Sequence, residues 1–262
     1  MSTLSGLIRR ALPQAIPFLW RIKGSLLAMG YAGNRCYCPI CDRWFNSFLP
    51  AGDPRRQRDN ARCPRCDSLE RHRLLWLFLQ RETDFFKQKH RVLHFAPEHC
   101  FNEQLNRLNS IEYITADLDA SRAKMHMDIT NIIFPDGYFD YIFCLHVLEH
   151  VPDDAKAMSE LCRVIKPDGK VIIMVPMSGI VTLDGEASDS VETRIERFGQ
   201  ADHVRLYGVD ITERLERSGF AVTAISYTER LSDELIGCSH LVMDHSWYDT
   251  RELIFVCSRQ SQ

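Results

Sequence analysis

The sequence predicts an α/β protein: a doubly wound, mostly parallel sheet preceded by a small metal-binding module. Three observations carry this expectation. From about residue 91, short apolar runs alternate with amphipathic helical stretches, as in a parallel sheet covered on both faces. Ahead of that region, two copies of one pattern, Cys38-Pro39-Ile40-Cys41-Asp42 and Cys63-Pro64-Arg65-Cys66-Asp67, stand 25 positions apart. With 262 residues and 45% hydrophobic content, the chain has material for one ordinary core and an appendage. The expected division is an amphipathic helical segment over 1–34, a four-cysteine zinc-binding module over 35–68, a linking helix over 69–90 and the main domain over 91–262.

In the first segment Leu4, Leu7, Ile8, Ala11, Leu12, Ala15, Ile16 and Leu19 follow the three-four spacing of one helical face, interrupted by Pro13 and Pro17. Arg9, Arg10, Arg21 and Lys23 make peripheral membrane contact conceivable, but packing against the main domain is the commoner fate of such a face. No run reaches the roughly 18 apolar residues of a membrane span, and no signal-peptide pattern is present. The expectation is a cytoplasmic protein without a transmembrane segment.

In the cysteine module each half places two thiols on a tight turn, and Cys38, Cys41, Cys63 and Cys66 together suit a closed tetrahedral Zn2+ shell. Two disulfides, four unrelated thiols or an iron tetrathiolate are the alternatives. Asp42 and Asp67 follow the second Cys of each pair, where such turns call for a residue that tolerates positive φ. Cys36 is a neighbouring thiol that could compete. The other five cysteines lie in apolar stretches without paired spacing, which fits buried thiols in a reducing compartment. Residues 1–90 carry 16 Lys and Arg against 7 Asp and Glu, and the remainder 16 against 28, within a net charge of −3. Arg55, Arg56, Arg58, Arg62 and Arg65 crowd the loop between the Cys pairs. They could attract a nucleic acid or form a solvated loop; without interleaved aromatics they supply electrostatics but no base readout.

The next elements follow from pattern. Leu69 to Arg81 reads as a helix with Leu74, Leu77 and Phe78 on one side. Strands are expected at 91–96, 111–116, 125–127, 138–145 and 171–175, with helices near 102–108 and 155–162; the second helix ends in the turn Lys166-Pro167-Asp168-Gly169. A helix at 211–217 and strands at 220–227 and 252–257 complete the domain.

In such a sheet the ligand lies at the carboxyl ends of the central strands. Those ends carry His94-Phe95-Ala96-Pro97-Glu98, then Asp117-Leu118-Asp119, Asp128-Ile129 and Leu145-His146. Asp117, about 20 residues after the first turn, suits a pair of ribose hydroxyls. Asp128 could accept from an adenine amino group, with Ile129 beside the ring. A helix N-cap is the ordinary alternative for any one of these acids.

The order of motifs from about Arg91 to Phe220 resembles the class I S-adenosylmethionine-dependent methyltransferases. The likeness is closest to the type 11 subgroup in Phe139-Asp140-Tyr141-Ile142-Phe143-Cys144-Leu145-His146-Val147-Leu148-Glu149-His150-Val151-Pro152-Asp153 and in Leu161-Cys162-Arg163-Val164-Ile165-Lys166-Pro167-Asp168-Gly169. The whole chain is also similar to bacterial methyltransferases of unassigned substrate that carry a Cys-pair module and a stretch like Arg71-His72-Arg73. The resemblance implies a Rossmann-like sheet with an antiparallel last strand and S-adenosylmethionine as cofactor. His94, Phe95, Ala96, Pro97, Glu98, Asp117, Leu118, Asp128, Ile129, Leu145 and His146 would then line its site. One departure stands at the first turn, where His94 takes the position of the family's acid, and Ala96 and Glu98 those of glycines. S-adenosylmethionine has no pyrophosphate to cradle, and Glu98 could supply a carboxylate to its amino group.

A sulfonium methyl is already activated, so transfer asks for in-line alignment and, for a hydroxyl or protonated amine, a base. His146 and His203 are the candidates, while His150 could only cap or pack. An extended backbone at 202–207 would send His203, Arg205 and Tyr207 to one face, either toward substrate or into a structural cluster. The function expected is methyl transfer to an unidentified acceptor, a small metabolite or sugar ahead of ribosomal or transfer RNA. A non-catalytic zinc-dependent binding protein is the reading from a different class.

Overall fold

The computed structural model describes residues 15–52, 57–242 and 252–260. Its main elements begin with α1 (Ala15–Gly30), β1 (Ala32–Cys38), β2 (Arg43–Phe45), β3 (Leu49–Ala51), β4 (Arg58–Arg62) and α2 (Glu70–Glu82). Next come β5 (His90–Phe95), α3 (His99–Leu105), β6 (Ile111–Asp117), β7 (Met125–His126), β8 (Phe139–Leu145), a 3-10 turn at Leu148–His150, α4 (Asp154–Val164) and β9 (Ile165–Met174). The last are β10 (Leu183–Asp184), α5 (Val191–Phe198), β11 (Arg205–Leu206), α6 (Ile211–Arg217), β12 (Phe220–Ser226), α7 (Asp233–Ser239) and β13 (Leu253–Arg259).

Two compact units interleave along the chain. Among the described residues, one holds 15–83, Glu98–Arg107 and 231–242, and the other Asp84–Pro97, Leu108–Arg230 and 252–260. These units group the chain by packing and cut across the sequence segments expected to divide at residues 34, 68 and 90. Helices α2, α3 and α7 fall in the same unit as the Cys pairs, and Arg73 shows why. This fully buried guanidinium donates to the carbonyls of Ala61, Ser68, Ser239 and His240 at 2.7–2.9 Å.

In that first unit β1 and β2 form an antiparallel hairpin with Cys41 and Asp42 at its turn, and β3 pairs with β4 ahead of the second Cys pair. Asp42 and Asp67 adopt φ of 50° and 63°, the left-handed backbone their positions predict. Helix α2 buries Leu74, Leu75, Leu77, Phe78 and Leu79. His72 Nδ1 accepts from the Leu69 N–H at 3.1 Å, which satisfies a donor at the helix start that Leu69 has no side chain to cap. Pro17 falls in the first turn of α1, where no helical hydrogen bond is lost, so the helix runs through it. Leu4, Leu7, Ile8, Ala11 and Leu12 of the expected apolar face lie outside the described residues. Among the described residues, no helix is long and apolar enough to cross a membrane.

The second unit is a seven-stranded sheet in the order β12-β13-β9-β8-β5-β6-β7. Strands β7, β6, β5, β8 and β9 pair in parallel, while β13 runs antiparallel between β9 and β12. The chain leaves β5 toward β6 and later returns to β5's other side as β8, so the ends of β5 and β8 flank a topological switch point. The centre of the sheet is apolar: Leu93, Phe95, Ile142, Cys144, Val171 and Ile173 belong to one buried cluster.

The Pro-Asp-Gly turn behaves differently from expectation. Helix α4 ends at Val164 and β9 begins at once, with Ile165 opposite Phe139 and Lys170 opposite Tyr141. Residues 166–169 therefore bulge out of the strand instead of preceding it. A Cβ on Gly169 would lie 2.9 Å from two carbons of buried Ile165 and 3.0 Å from the Asp140 carbonyl oxygen. Gly169→Ala is expected to destabilise the protein by about 1–3 kcal/mol, the usual cost of overpacking. A urea denaturation curve superimposed on that of the wild type would show the bulge to be loose.

Candidate functional site

The first unit brings together Cys38, Cys41, Cys63 and Cys66, whose sulfurs all lie within 4.8 Å of one another. Cys38 and Cys66 are 3.6 Å apart, and Cys41 and Cys63 are 3.7 Å apart. A zinc tetrahedron with Zn–S bonds near 2.3 Å has edges of ~3.8 Å, so the four thiols stand at ligand spacing. Burial works against ionisation of Cys38, but hydrogen bonds from the other three thiols and the charge of Arg73 outweigh it and hold the thiol well below its ordinary range. Burial and that shared charge push Cys66 up. Cys36 stands apart from the four, with its sulfur 3.8 Å from the Asn46 carbonyl oxygen and 3.3 Å from His240 Nε2.

Three of the five arginines between the Cys pairs are committed to acids. Arg58 holds Glu70 through two nitrogens, at 2.9 and 3.2 Å. Arg65 holds Glu103 in the same way, at 3.2 and 3.1 Å, and Arg62 meets Asp67 at 3.1 Å. Arg55 and Arg56 lie outside the described residues. Glu98 also belongs to this unit, with His72 Nε2 3.4 Å from its Oε1.

In the second unit the expected residues stand at the strand ends, but not all in the same way. His94 is fully buried, its Nδ1 2.7 Å from the Tyr113 hydroxyl and its ring edge-on to Phe143. Phe95 belongs to the core, Pro97 is half-buried and Leu145 is buried. Ala96 takes φ +48°, and its N–H donates to the Ala116 carbonyl at 2.8 Å. The turn thus has the left-handed backbone that glycine favours, reached by alanine at a cost of about 1–2 kcal/mol. His146 does the same at the end of β8, with φ +53°.

Asp117 closes β6. Its Oδ1 accepts from the Asp119 N–H at 2.8 Å, while its Oδ2 is buried without a hydrogen-bond partner, 3.6 Å from Arg122 Nε. Leu118 beside it is a large apolar side chain, 67% exposed. Asp128 is exposed, its Oδ1 taken by the N–H and hydroxyl of Thr130, and Ile129 is buried. The segment carrying these two is pinned by Arg163, which donates to the carbonyls of Ile132 and Phe134 and to Glu160 and Asp136 at 2.7–2.9 Å.

Beyond β8 the chain turns through Leu148–His150. Glu149 is fully buried, and His146 Nδ1 lies 3.3 Å from its Oε1. Burial raises the Glu149 carboxyl, but the neighbouring imidazoles His146 and His150 prevail and hold it below the usual carboxylate range. His203 is buried, its Nδ1 3.1 Å from the Phe198 carbonyl oxygen, and desolvation lowers its pKa. The acid of this cluster went unread in the sequence. The available signal was a carboxylate inside the otherwise apolar run Val147-Leu148-Glu149.

The face expected to carry His203, Arg205 and Tyr207 is present, and it points inward. Arg205 is 5% exposed and donates to Asp184 at 2.9 Å and to the carbonyls of Leu148, Val151 and Pro152. Tyr207 is fully buried and donates to Asp154 at 2.8 Å; burial and that carboxylate push its phenol well up. The acidic loop is likewise tied, Asp184 to Arg205 and Arg214, and Asp189 to Arg197.

An open, mostly parallel sheet of this kind has its ligand crevice at the carboxyl ends of the strands, beside the switch point. Residues 99–173 match the family described as a methyltransferase domain. The chain is 32% identical over 82 residues to a ubiquinone/menaquinone biosynthesis C-methyltransferase of Francisella philomiragia, covering 31% of this chain and 28% of that protein. It is 37% identical over 62 residues to phosphoethanolamine N-methyltransferase 2 of Caenorhabditis elegans, covering 24% of this chain and 13% of that one. Less than a third of these relatives' length is thus spanned. Among solved structures it is similar to the YcgJ protein of Bacillus subtilis, with a TM-score of 0.48 and 18% identity over 72% of this chain and all of that one. The matched stretch supports a methyltransferase domain of the class I S-adenosylmethionine-dependent kind within this chain.

Proposed function

We propose that this protein transfers a methyl group from S-adenosylmethionine to a small-molecule acceptor and that its four clustered thiols hold a structural Zn2+. The observation that carries the first part is Asp117. A buried carboxylate oxygen without a hydrogen-bond donor costs free energy unless a ligand supplies one, and the ribose hydroxyls of the cofactor are such donors. Leu118 and Ile129 would cover the adenine, with Asp128 toward its amino group. The left-handed backbones at Ala96 and His146 allow the two strand ends to approach a ligand closely despite the missing glycines, which weighs against a degenerate domain. When bound, the cofactor supplies a sulfonium methyl that needs no further activation.

The remaining work falls to side chains. His146 stands at the end of β8, its ring partly exposed and its Nε2 buried without a hydrogen-bond partner; a ligand entering the strand ends would bring the proton it takes within reach. His203 lies deeper, beside Glu149. Arg205 and Tyr207 are assigned a positioning role, since their polar groups are consumed by Asp154, Asp184 and three carbonyls. A small acceptor is favoured over RNA for two reasons. Arg58, Arg62 and Arg65 are already paired to acids, and the relatives are named for ubiquinone/menaquinone biosynthesis and for phosphoethanolamine, small molecules both.

Calorimetric titration with S-adenosylmethionine and S-adenosylhomocysteine tests the reading. The wild type should bind both, and Asp117→Ala should weaken binding by ~30–100-fold, the loss of hydrogen bonds to a charged acceptor. No heat and no thermal shift with either ligand would overturn the proposal.

A further inference from the structure

A second cluster of metal-ligating side chains lies in the sheet unit, apart from the four cysteines. Glu149, His150 and His203 each present one donor atom, and the three lie within 4.8 Å of one another. Glu149 is fully buried, and neither of its carboxylate oxygens has a hydrogen-bond partner. His146 Nδ1 stands 3.3 Å from Oε1 as an ion-pair partner, which leaves Oε2 without one among the described residues. An anion so placed is expensive unless a cation neutralises it.

Each imidazole has one ring nitrogen facing a backbone carbonyl. His203 Nδ1 faces the Phe198 carbonyl at 3.1 Å and His150 Nδ1 the Asp202 carbonyl at 3.2 Å. A carbonyl only accepts, so each Nδ1 carries a proton, His150 Nδ1 also facing Asp202 Oδ2 at 3.4 Å, and in the neutral ring each Nε2 keeps a lone pair. This is the outer hydrogen bond that fixes the tautomer of a metal-bound histidine. The two rings stand edge to face with centroids 4.7 Å apart. The backbone holds the two segments together: the Val204 N–H donates to the Glu149 carbonyl at 2.9 Å, and Arg205 bonds the carbonyls on either side of the turn.

We propose that Glu149, His150 and His203 form a binding site for a divalent transition-metal ion. Two imidazoles and one carboxylate suit zinc, cobalt or ferrous iron better than magnesium or calcium, which prefer all-oxygen shells. Three protein donors leave at least one coordination position open, the arrangement of catalytic rather than structural sites. Donor separations in a formed tetrahedral site are about 3.4 Å for bonds near 2.1 Å, within reach of side-chain rotation from those seen here.

The test is titration of the full-length zinc-loaded protein with Co2+, followed by calorimetry and absorption. One Co2+ per chain is expected, with ligand-field absorption but without the intense thiolate charge-transfer bands that cobalt in the four-cysteine site would show. Glu149→Gln, which keeps the shape and removes the charge, should weaken this binding by at least about tenfold, as should His150→Ala. His150 is partly exposed, so its variant keeps the test open should a change at buried Glu149 impair folding. Cobalt bound only with thiolate charge transfer, no cobalt bound at all, or equal affinity in a folded His150→Ala would each overturn the proposal.

Discussion

Cys63→Ser is expected to abolish zinc binding and leave the Cys-bearing unit unable to fold. The four sulfurs stand at the spacing of a zinc tetrahedron, and Cys38, Cys63 and Cys66 are fully buried. The hairpins around them are short: β2 and β3 have three residues each and β4 has five. Strands of that length cannot bury enough apolar surface to hold their own turns. A structural zinc contributes on the order of 10–16 kcal/mol in small metal modules, more than the roughly 5–15 kcal/mol that separates most domains from their unfolded state. Elemental analysis and thermal denaturation of the variant, beside wild-type protein treated with a chelator, make the measurement. Zinc loss should accompany loss of solubility or a collapse of the melting temperature. Normal metal content with unchanged melting would sink the zinc assignment.

Arg73→Met should destabilise the protein by about 3–5 kcal/mol, the cost of breaking a buried charged network by removing one partner. Its guanidinium is the donor for four backbone carbonyls, those of Ala61, Ser68, Ser239 and His240, and it lies 4.5 Å from the centre of the Phe48 ring. Methionine fills much of the volume but leaves the carbonyls without that donor. Arg73→Lys should recover little, because one ammonium cannot reproduce the planar fork that reaches four acceptors. The denaturation midpoint reads the effect, and a shift worth less than about 1 kcal/mol would show that water replaces the guanidinium at little cost.

Several features were legible because they depend on local chemistry. The Cys-x-x-Cys spacing and the following aspartates specify tight turns, and Asp42 and Asp67 take the positive φ those turns require. Apolar runs separated by helical periods predict the parallel strands, and the acid closing β6 stands where a switch-point sheet puts ligand contacts. Helix starts were less legible: α3 begins at His99, three residues ahead of the expected 102, because no cap residue marks it.

Other features required contacts between residues far apart in the chain. Arg71-His72-Arg73 reads as three similar polar residues, yet Arg73 is buried by carbonyls 166 and 167 positions away. Arg58 and Arg65 look like a free basic loop until Glu70 and Glu103 are brought to them.

The sequence by itself determined the class of fold, the four thiols and the acids at the strand ends, since each follows from spacing, periodicity or turn chemistry within a few residues. Only the tertiary structure decided which charges are spent and which remain. Strand alternation places His203, Arg205 and Tyr207 on one face, but that face could turn either way. It turns inward because Asp154 and the carbonyls of Leu148, Val151 and Pro152 supply the partners that make burial of a guanidinium tolerable. The same packing isolates Glu149 with two histidines, a juxtaposition that no local pattern encodes.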